Sequence, residues 1–357
     1  MANLGASPSS IPARRSGATE LKLPILGLGC WAFGGGDYWG PQSQESVDAI
    51  VREAIDHGCN FFDTAEAYNH GASESSLGAA LRGIPRDRVI IGTKISPSNT
   101  APETLVAHCE ASLRRLRTDY VDLYMVHWPI TAHSIRHFTS EPFDTPSVAE
   151  AFAMLQRLQR EGKIRHIGVS NFGRAKLEEA LATGVTLAVN ELPYSLLARA
   201  IELDVLPFCR ERGIGVLGYM ALLQGVLSDR YPRLRDLPES RRRTRHFDCR
   251  GTPRCRHGLP GAETETEAAL TAVRAIARRL GLTTSALALK WACAREGITS
   301  SLCGARDLAA LRENLAAVRE PLDAATVAEL NAATQPLLDA LGPSFDYYEN
   351  PANDRTK

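Results

Sequence analysis

The chain has 357 residues, 44% of them apolar and 23% charged, with 41 basic side chains against 41 acidic ones. That composition belongs to globular protein and excludes disorder over most of the length, and the charge balance excludes the global field that draws a chain to nucleic acid or to an anionic membrane surface. No apolar run approaches the ~20 residues that span a bilayer.

The first residues, Met1 to Gly17, are rich in Ser, Pro and Ala and lack the apolar segment of a signal peptide. The pair Arg14 and Arg15 is followed by polar residues, which does not support export. Residues 1–20 are therefore expected to form a disordered tail ahead of a single domain over 21–357. Eight cysteines scattered through apolar runs are expected as reduced thiols of a cytoplasmic protein.

From there, short β-branched or apolar runs alternate with segments of helical period. LGLGCWAF (26–33), NFFDTA (60–65), VIIGTKI (89–95) and VDLYMVH (121–127) read as strands, followed by IRHIGVS (164–170), TLAVNEL (186–192), IGVLGYM (214–220) and ITSSLCG (298–304). Between them, 45–57, 103–117, 147–161 and 173–183 carry apolar residues at i, i+3, i+4 spacing, with Gly at several ends. Eight strands alternating with helices suit a closed parallel barrel or a doubly wound sheet. No GxGxxG opens a helix, so a (β/α)₈ TIM barrel is expected. The connections 128–146 and 220–263 are too long for ordinary loops and leave strands at the C-terminal face, where barrels carry their chemistry.

That rim collects four reactive side chains. Asp63 follows the strand NFF, Tyr68 comes five residues later, Lys94 ends VIIGTK and His127 ends VDLYMVH. Reducing a carbonyl requires an acid to protonate the oxygen, and a phenol of pKa ~10 needs tuning to serve. An ammonium at Lys94 would lower the Tyr68 pKa, Asp63 would hold that ammonium, and His127 would hydrogen-bond the substrate oxygen.

The strings GLGCWAFGG, FFDTAEAYNHGASESSLGAAL, VIIGTK, VDLYMVHWP, EGKIRHIGVSNF and GARDLAALRENLAAV resemble the aldo-keto reductase superfamily from about Leu23 to Val318. The resemblance implies a (β/α)₈ barrel, the tetrad Asp63, Tyr68, Lys94 and His127, and NADPH bound without a Rossmann unit. It implies that Ser170 and Asn171 hold the nicotinamide carboxamide and that Tyr219 stacks on the ring. Leu222 and Gly304 belong to the same cofactor set, Arg306 pairs with the 2′-phosphate, and Glu313 and Asn314 face the adenine. Three positions depart from the family pattern: Asn190 where most members have Gln, Ala310 where many have Gln, and Met220 in place of a common Ser.

Trp31, Trp39 and Trp128 near strand ends are candidate pocket walls for a small carbonyl or keto-sugar substrate. Within 241–257 stand seven arginines and two histidines against one acid, Asp248, which suggests a mobile lid over anionic groups. His246, Cys249, Cys255 and His257 are zinc-type ligands, but five residues separate the cysteines, and no metal is expected. The reading is an NADPH-dependent carbonyl reductase. Its rivals are a cofactor-sensing regulatory barrel of the kind that serves ion channels, and a cofactor-free lyase or hydrolase using Asp63 and Lys94.

Overall fold

A computed structural model describes residues 11–250 and 255–357. Ala13–Arg15 (β1) and Lys22–Pro24 (β2) form an antiparallel hairpin. Then come Leu26–Gly29 (β3), Phe61–Asp63 (β4), Ile90–Ile95 (β5), Val121–Val126 (β6), Ile164–Ser170 (β7), Leu187–Pro193 (β8), Gly215–Tyr219 (β9) and Ile298–Cys303 (β10). These eight are all parallel and close in the order β10-β3-β4-β5-β6-β7-β8-β9, the barrel expected from the alternation.

The four helices read from periodicity are Gln44–Asp56, Pro102–Leu116, Val148–Arg160 and Arg174–Leu181. Side-chain oxygens of Ser43 and Ser147 accept backbone amides at two of their starts, which fixes where those helices begin. Helices Ala72–Ala80, Val205–Glu211, Glu263–Arg279, Thr284–Ala294 and Ala324–Leu341 lie outside the four expected from periodicity.

Strand alternation sorts the core into two parts. In β6, Leu123 and Met125 face the barrel axis while Tyr124 and Val126 pack outward under the helices. In β4, Phe61 points inward and Phe62 outward. The interior is narrow: a Cβ on Gly168 of β7 would stand 2.6 Å from Val189 and 2.9 Å from Met125. The same period that aims Phe61 inward aims Asp63 inward, one layer nearer the C-terminal rim.

At the opposite end the hairpin plugs the barrel. Leu21 and Leu23 join the inner cluster, and Ser16, fully buried, donates its hydroxyl to the Ala188 carbonyl at 2.8 Å. Gly17 has φ +53°, and a Cβ there would collide with the Gly213 carbonyl at 1.9 Å. Residues 11–20, expected as part of a disordered tail, are thus the outer strand and turn of a plug; residues 1–10 lie outside the described residues. Strands of three residues are too short to give a readable period.

The long connection after β9 is also not a single lid. Thr244 to Phe247 are buried. Arg245 donates to the Leu341 and Ser344 carbonyls at 2.5 Å each, and His246 Nε2 lies 2.6 Å from the Leu197 carbonyl. Arg245 caps the end of helix Ala324–Leu341, so it cannot act with Arg241, Arg242 and Arg243 as a mobile cation. Arg254 lies outside the described residues. Cys249 and Cys255 form a disulfide, which corrects the expectation of eight reduced thiols; the other six cysteines are free and buried.

The plug is part of the stabilising core. Replacing Leu23, 0% exposed, by Ala is expected to lower unfolding free energy by about 2–5 kcal/mol in urea denaturation. A loss below ~1 kcal/mol would show that the hairpin closes the barrel without supporting it.

Candidate active site

Asp63 ends β4, Lys94 sits near the end of β5 and His127 follows β6, so three adjacent strands deliver three side chains to one rim. Tyr68 reaches the same point from the turn Tyr68–Gly71. That turn holds Asn69 and His70 at φ 49° and 54°, where most side chains are disfavoured. Asn69 secures it by donating from Nδ2 to the carbonyls of Trp31 and Phe33 at 3.1 and 3.0 Å.

Lys94 is the centre of the group. Its side chain has no solvent exposure, and Nζ donates to both Asp63 carboxylate oxygens at 2.7 Å, to the Thr64 carbonyl at 3.0 Å and to the Tyr68 hydroxyl at 3.2 Å. Burial alone would discharge the ammonium, but the charges of Asp63 and Glu191 outweigh it and raise the Lys94 pKa well above its ordinary value. Lysine only donates, so the Tyr68 oxygen accepts and its own proton is left for another partner.

Burial raises the Tyr68 pKa; Lys94 pulls it down, while Asp63 and Glu191 push it up. The net direction is upward, contrary to the lowering expected from Lys94 alone, because burial is the largest influence and two carboxyls as well as one ammonium face the phenol. A raised phenol pKa keeps the proton in place at neutral pH. His127 is driven the other way by burial and by Lys94, which keep the imidazole neutral. Its Nδ1 is buried without a hydrogen-bond partner, and its ring meets Tyr68 edge-on at 5.5 Å.

Asp63, Tyr68 and His127 open into a cavity of about 550 Å³, within the range of small-molecule sites, with Lys94 buried behind them. Trp31 and Trp128 line it, and so does Trp39. Trp31 stacks on Tyr38 at 5.0 Å, and Arg355 lies 3.9 Å over Trp128. Ser170, Asn171, Tyr219, Leu222, Gly304 and Arg306 also face the cavity. Asn171 ties this wall to the tetrad: its Nδ2 donates to the His127 carbonyl at 3.1 Å, and its Oδ1 accepts from the Tyr219 hydroxyl at 2.7 Å. Arg306 donates to the carbonyls of Trp39 and Pro41 at 2.5 and 2.9 Å, bridging β10 to the loop after β3.

Three expected cofactor residues do not reach the cavity. Asn190 points out of the barrel and binds the Phe172 backbone through both amide atoms. Glu313 is exposed and accepts from Thr283 and Ser285, while buried Asn314 donates to the Cys303 sulfur. The inward residue of β8 is Glu191, next after Asn190, with Oε2 3.3 Å from Lys94 Nζ. Period two along β8 could have identified it, since Val189 faces inward.

Other contributors had no sequence signal. Gln224 accepts from the Tyr38 hydroxyl at 2.7 Å and donates to the Tyr348 hydroxyl, joining three loops across the mouth. Tyr348 and Arg355 come from the C-terminal segment, which is pinned by the buried pair Arg355–Asp346, two contacts of 2.7 Å.

The zinc-type residues do not assemble as a set of four. Cys249, Cys255 and His257 converge, with ligand atoms within 4.8 Å of one another, but His246 is occupied by Thr244 and Leu197. The Leu259 amide donates to His257 Nδ1 at 3.1 Å, so in the neutral ring the proton sits on Nε2, which points at Cys249. A protonated Nε2 offers no lone pair to a metal.

A sequence model of the Aldo/keto reductase family matches residues 25–335. The chain is 38% identical to the "NADH-specific methylglyoxal reductase" of Escherichia coli over 232 residues, 59% of this chain and 68% of that protein. An aldo/keto reductase from Klebsiella pneumoniae, solved with NADP and acetate, superposes with TM-score 0.67 at 27% identity, covering 96% of this chain and 98% of that one. The glycerol dehydrogenase of Gluconobacter oxydans superposes with TM-score 0.72 at 26% identity, covering 93% and 96%. With its barrel, its rim of reactive side chains and a family match over most of its length, this chain belongs to the aldo/keto reductase family.

Proposed function

We propose that this oxidoreductase uses NADPH to reduce the carbonyl of a small aldehyde, ketone or keto sugar, with Tyr68 as the acid that protonates the nascent alkoxide. The observation that carries the reading is the hydrogen bond from Lys94 to Tyr68, which fixes the phenol oxygen as acceptor and frees its proton for the substrate. Reduced nicotinamide, when bound, supplies the hydride. Tyr68 donates its proton to the carbonyl oxygen as charge develops there, and Lys94 stabilises the phenolate left behind. Asp63 keeps Lys94 charged and fixed, and neutral His127 offers a hydrogen bond to the same oxygen.

The cavity suits a nicotinamide. Tyr219, Leu222 and Gly304 line it with Ser170 and Asn171, whose hydroxyl and amide match a carboxamide once it exchanges with their present partners, the Glu191 and His127 carbonyls and the Tyr219 hydroxyl. Among the described residues no carboxylate pairs with Arg241 or Arg306, and both line the cavity, which favours a cofactor with several phosphates. The Klebsiella neighbour holds NADP and the Escherichia coli relative is named for NADH, so Arg306 is the residue on which the preference turns. Methylglyoxal, which that relative's name specifies, is the first substrate to assay. No helix among the described residues is long and apolar enough to cross a membrane.

Tyr68→Phe keeps the ring and removes the proton. Turnover of methylglyoxal with NADPH is expected to fall by ~10²–10⁴ while NADPH affinity, read by fluorescence titration, stays within about threefold. A variant with most of its rate would assign the acid elsewhere.

Arg306→Ala is expected to weaken NADPH by about ten- to a hundredfold and NADH far less, since only NADPH carries a 2′-phosphate to pair with the guanidinium. Equal losses for the two cofactors would remove Arg306 from the phosphate site.

A further inference from the structure

Glu191 has no part in the tetrad, yet it stands against it. Three strands bring Asp63, Lys94 and Glu191 together with side-chain exposures of 5%, 0% and 4%. If both carboxyls were ionised around one ammonium, the buried site would carry a net negative charge without solvent to screen it. The hydrogen bonds decide which carboxyl gives way. Lys94 has three protons, and Asp63, the Thr64 carbonyl and the Tyr68 hydroxyl already offer four acceptors for them. Glu191 Oε2 lies 3.3 Å from Nζ, an ion-pair distance, but it is buried and no group donates a hydrogen bond to it. Two carboxylates in contact have no donor between them. A proton on Glu191 supplies one, directed at the ionised Asp63.

We propose that Glu191 is held as a neutral acid in the wall of the nicotinamide site, and that its ionisation makes the site favour the oxidised, cationic ring over the reduced, neutral one. The inference rests on the nicotinamide reading given above. Glu191 lines the same cavity as Ser170, Asn171 and Tyr219, the groups proposed to hold that ring. The charged or titratable groups around it are Asp63 from β4, Lys94 from β5, Tyr68 from the turn after β4 and Tyr219 from β9, with Asp346 and Arg355 beyond Tyr219. Of these, Lys94 and the Tyr68 and Tyr219 phenols have their pKa values raised, and burial raises Asp63 as well, but the two 2.7 Å bonds from Lys94 favour the ionised form on Asp63 over Glu191. Burial first, and then the Asp63 charge, push Glu191 up to about 8, within reach of an ordinary pH series.

The sign follows from charge. Below that pH the wall is neutral and discriminates little between the redox forms. Above it, a carboxylate faces the cavity and attracts a cationic ring, so the oxidised cofactor binds more tightly while the reduced one does not. Such a pair interacting through protein is worth about tenfold or more in affinity. A wall that stays neutral at neutral pH therefore suits carbonyl reduction, and one that ionises at higher pH suits alcohol oxidation.

The test is binding rather than turnover. Dissociation constants for NADP⁺ and NADPH are measured by fluorescence titration from pH 6.5 to 9.5 on wild type and Glu191→Gln. The ratio of the two constants cancels any titration of the phosphates they share. The wild-type ratio is expected to shift by about tenfold toward NADP⁺ as pH rises through the Glu191 range, and the Glu191→Gln ratio is expected to stay flat. A wild-type ratio independent of pH, or a variant that tracks wild type, overturns the proposal while leaving the cofactor reading intact. If neither protein binds either nucleotide, both readings fall. Circular dichroism confirms that the variant is folded, and Glu191→Leu, which also cannot ionise, should give the same flat ratio.

Discussion

The buried contact between Lys94 and Asp63 is the constraint around which the rest of the site is organised. A lysine with no exposure survives as an ammonium only if a carboxylate meets it at hydrogen-bond distance, and here both Asp63 oxygens do so at 2.7 Å. Losing one partner of such a pair typically costs about 3–5 kcal/mol, because the other charge is left buried alone. The pair thus fixes the relative position of β4 and β5 at their C-terminal ends as strictly as any apolar contact. It also determines what neighbours can be. Tyr68 must accept rather than donate toward Lys94, His127 is discouraged from taking a second positive charge, and Glu191 is left with no donor of its own.

The barrel makes this arrangement possible. Its interior is filled from the hairpin end by Leu21 and Leu23, then by Phe61, Leu123, Met125 and Val189, and becomes polar only at the last layer. The same alternation that buries Phe61 delivers Asp63 to that layer. Above it, the mouth is built by parts far apart in sequence: Trp31 and Tyr38 from the loop after β3, Gln224 from the loop after β9, and Tyr348 and Arg355 from the C-terminal segment. The floor thus holds the buried polar group of Asp63, Lys94 and Tyr68, while the composite rim is rich in Trp, Tyr and Arg.

What was legible in the sequence follows from that division. The eight strands and the residues ending three of them could be read because strand period and barrel topology together specify which side chains share a rim. Asn190 was misplaced by one residue along β8; a slip of one reverses the face, so the expected ligand points outward and Glu191 points in. β1 falls within the stretch expected as a tail, residues 1–20, because a three-residue strand gives no period and the buried polar residue Ser16 acts through a contact 172 residues away. Composition groups Arg245 with the half-buried arginines 241–243 because it does not show that Arg245 caps a helix nearly a hundred residues on. Nothing local in the final segment could reveal that Tyr348 and Arg355 return to the mouth.

The most direct test of the Lys94–Asp63 constraint is a double-mutant cycle read by the single-turnover rate of carbonyl reduction at saturating cofactor. Asp63→Asn and Lys94→Met each remove one side of the pair, and the double variant removes both. If Asp63 acts through Lys94, the double variant is no slower than Lys94→Met alone, within about threefold, and the two effects are strongly non-additive. Fully additive losses would mean that the two residues act on the reaction separately, and the account of a single buried pair governing the site would be contradicted.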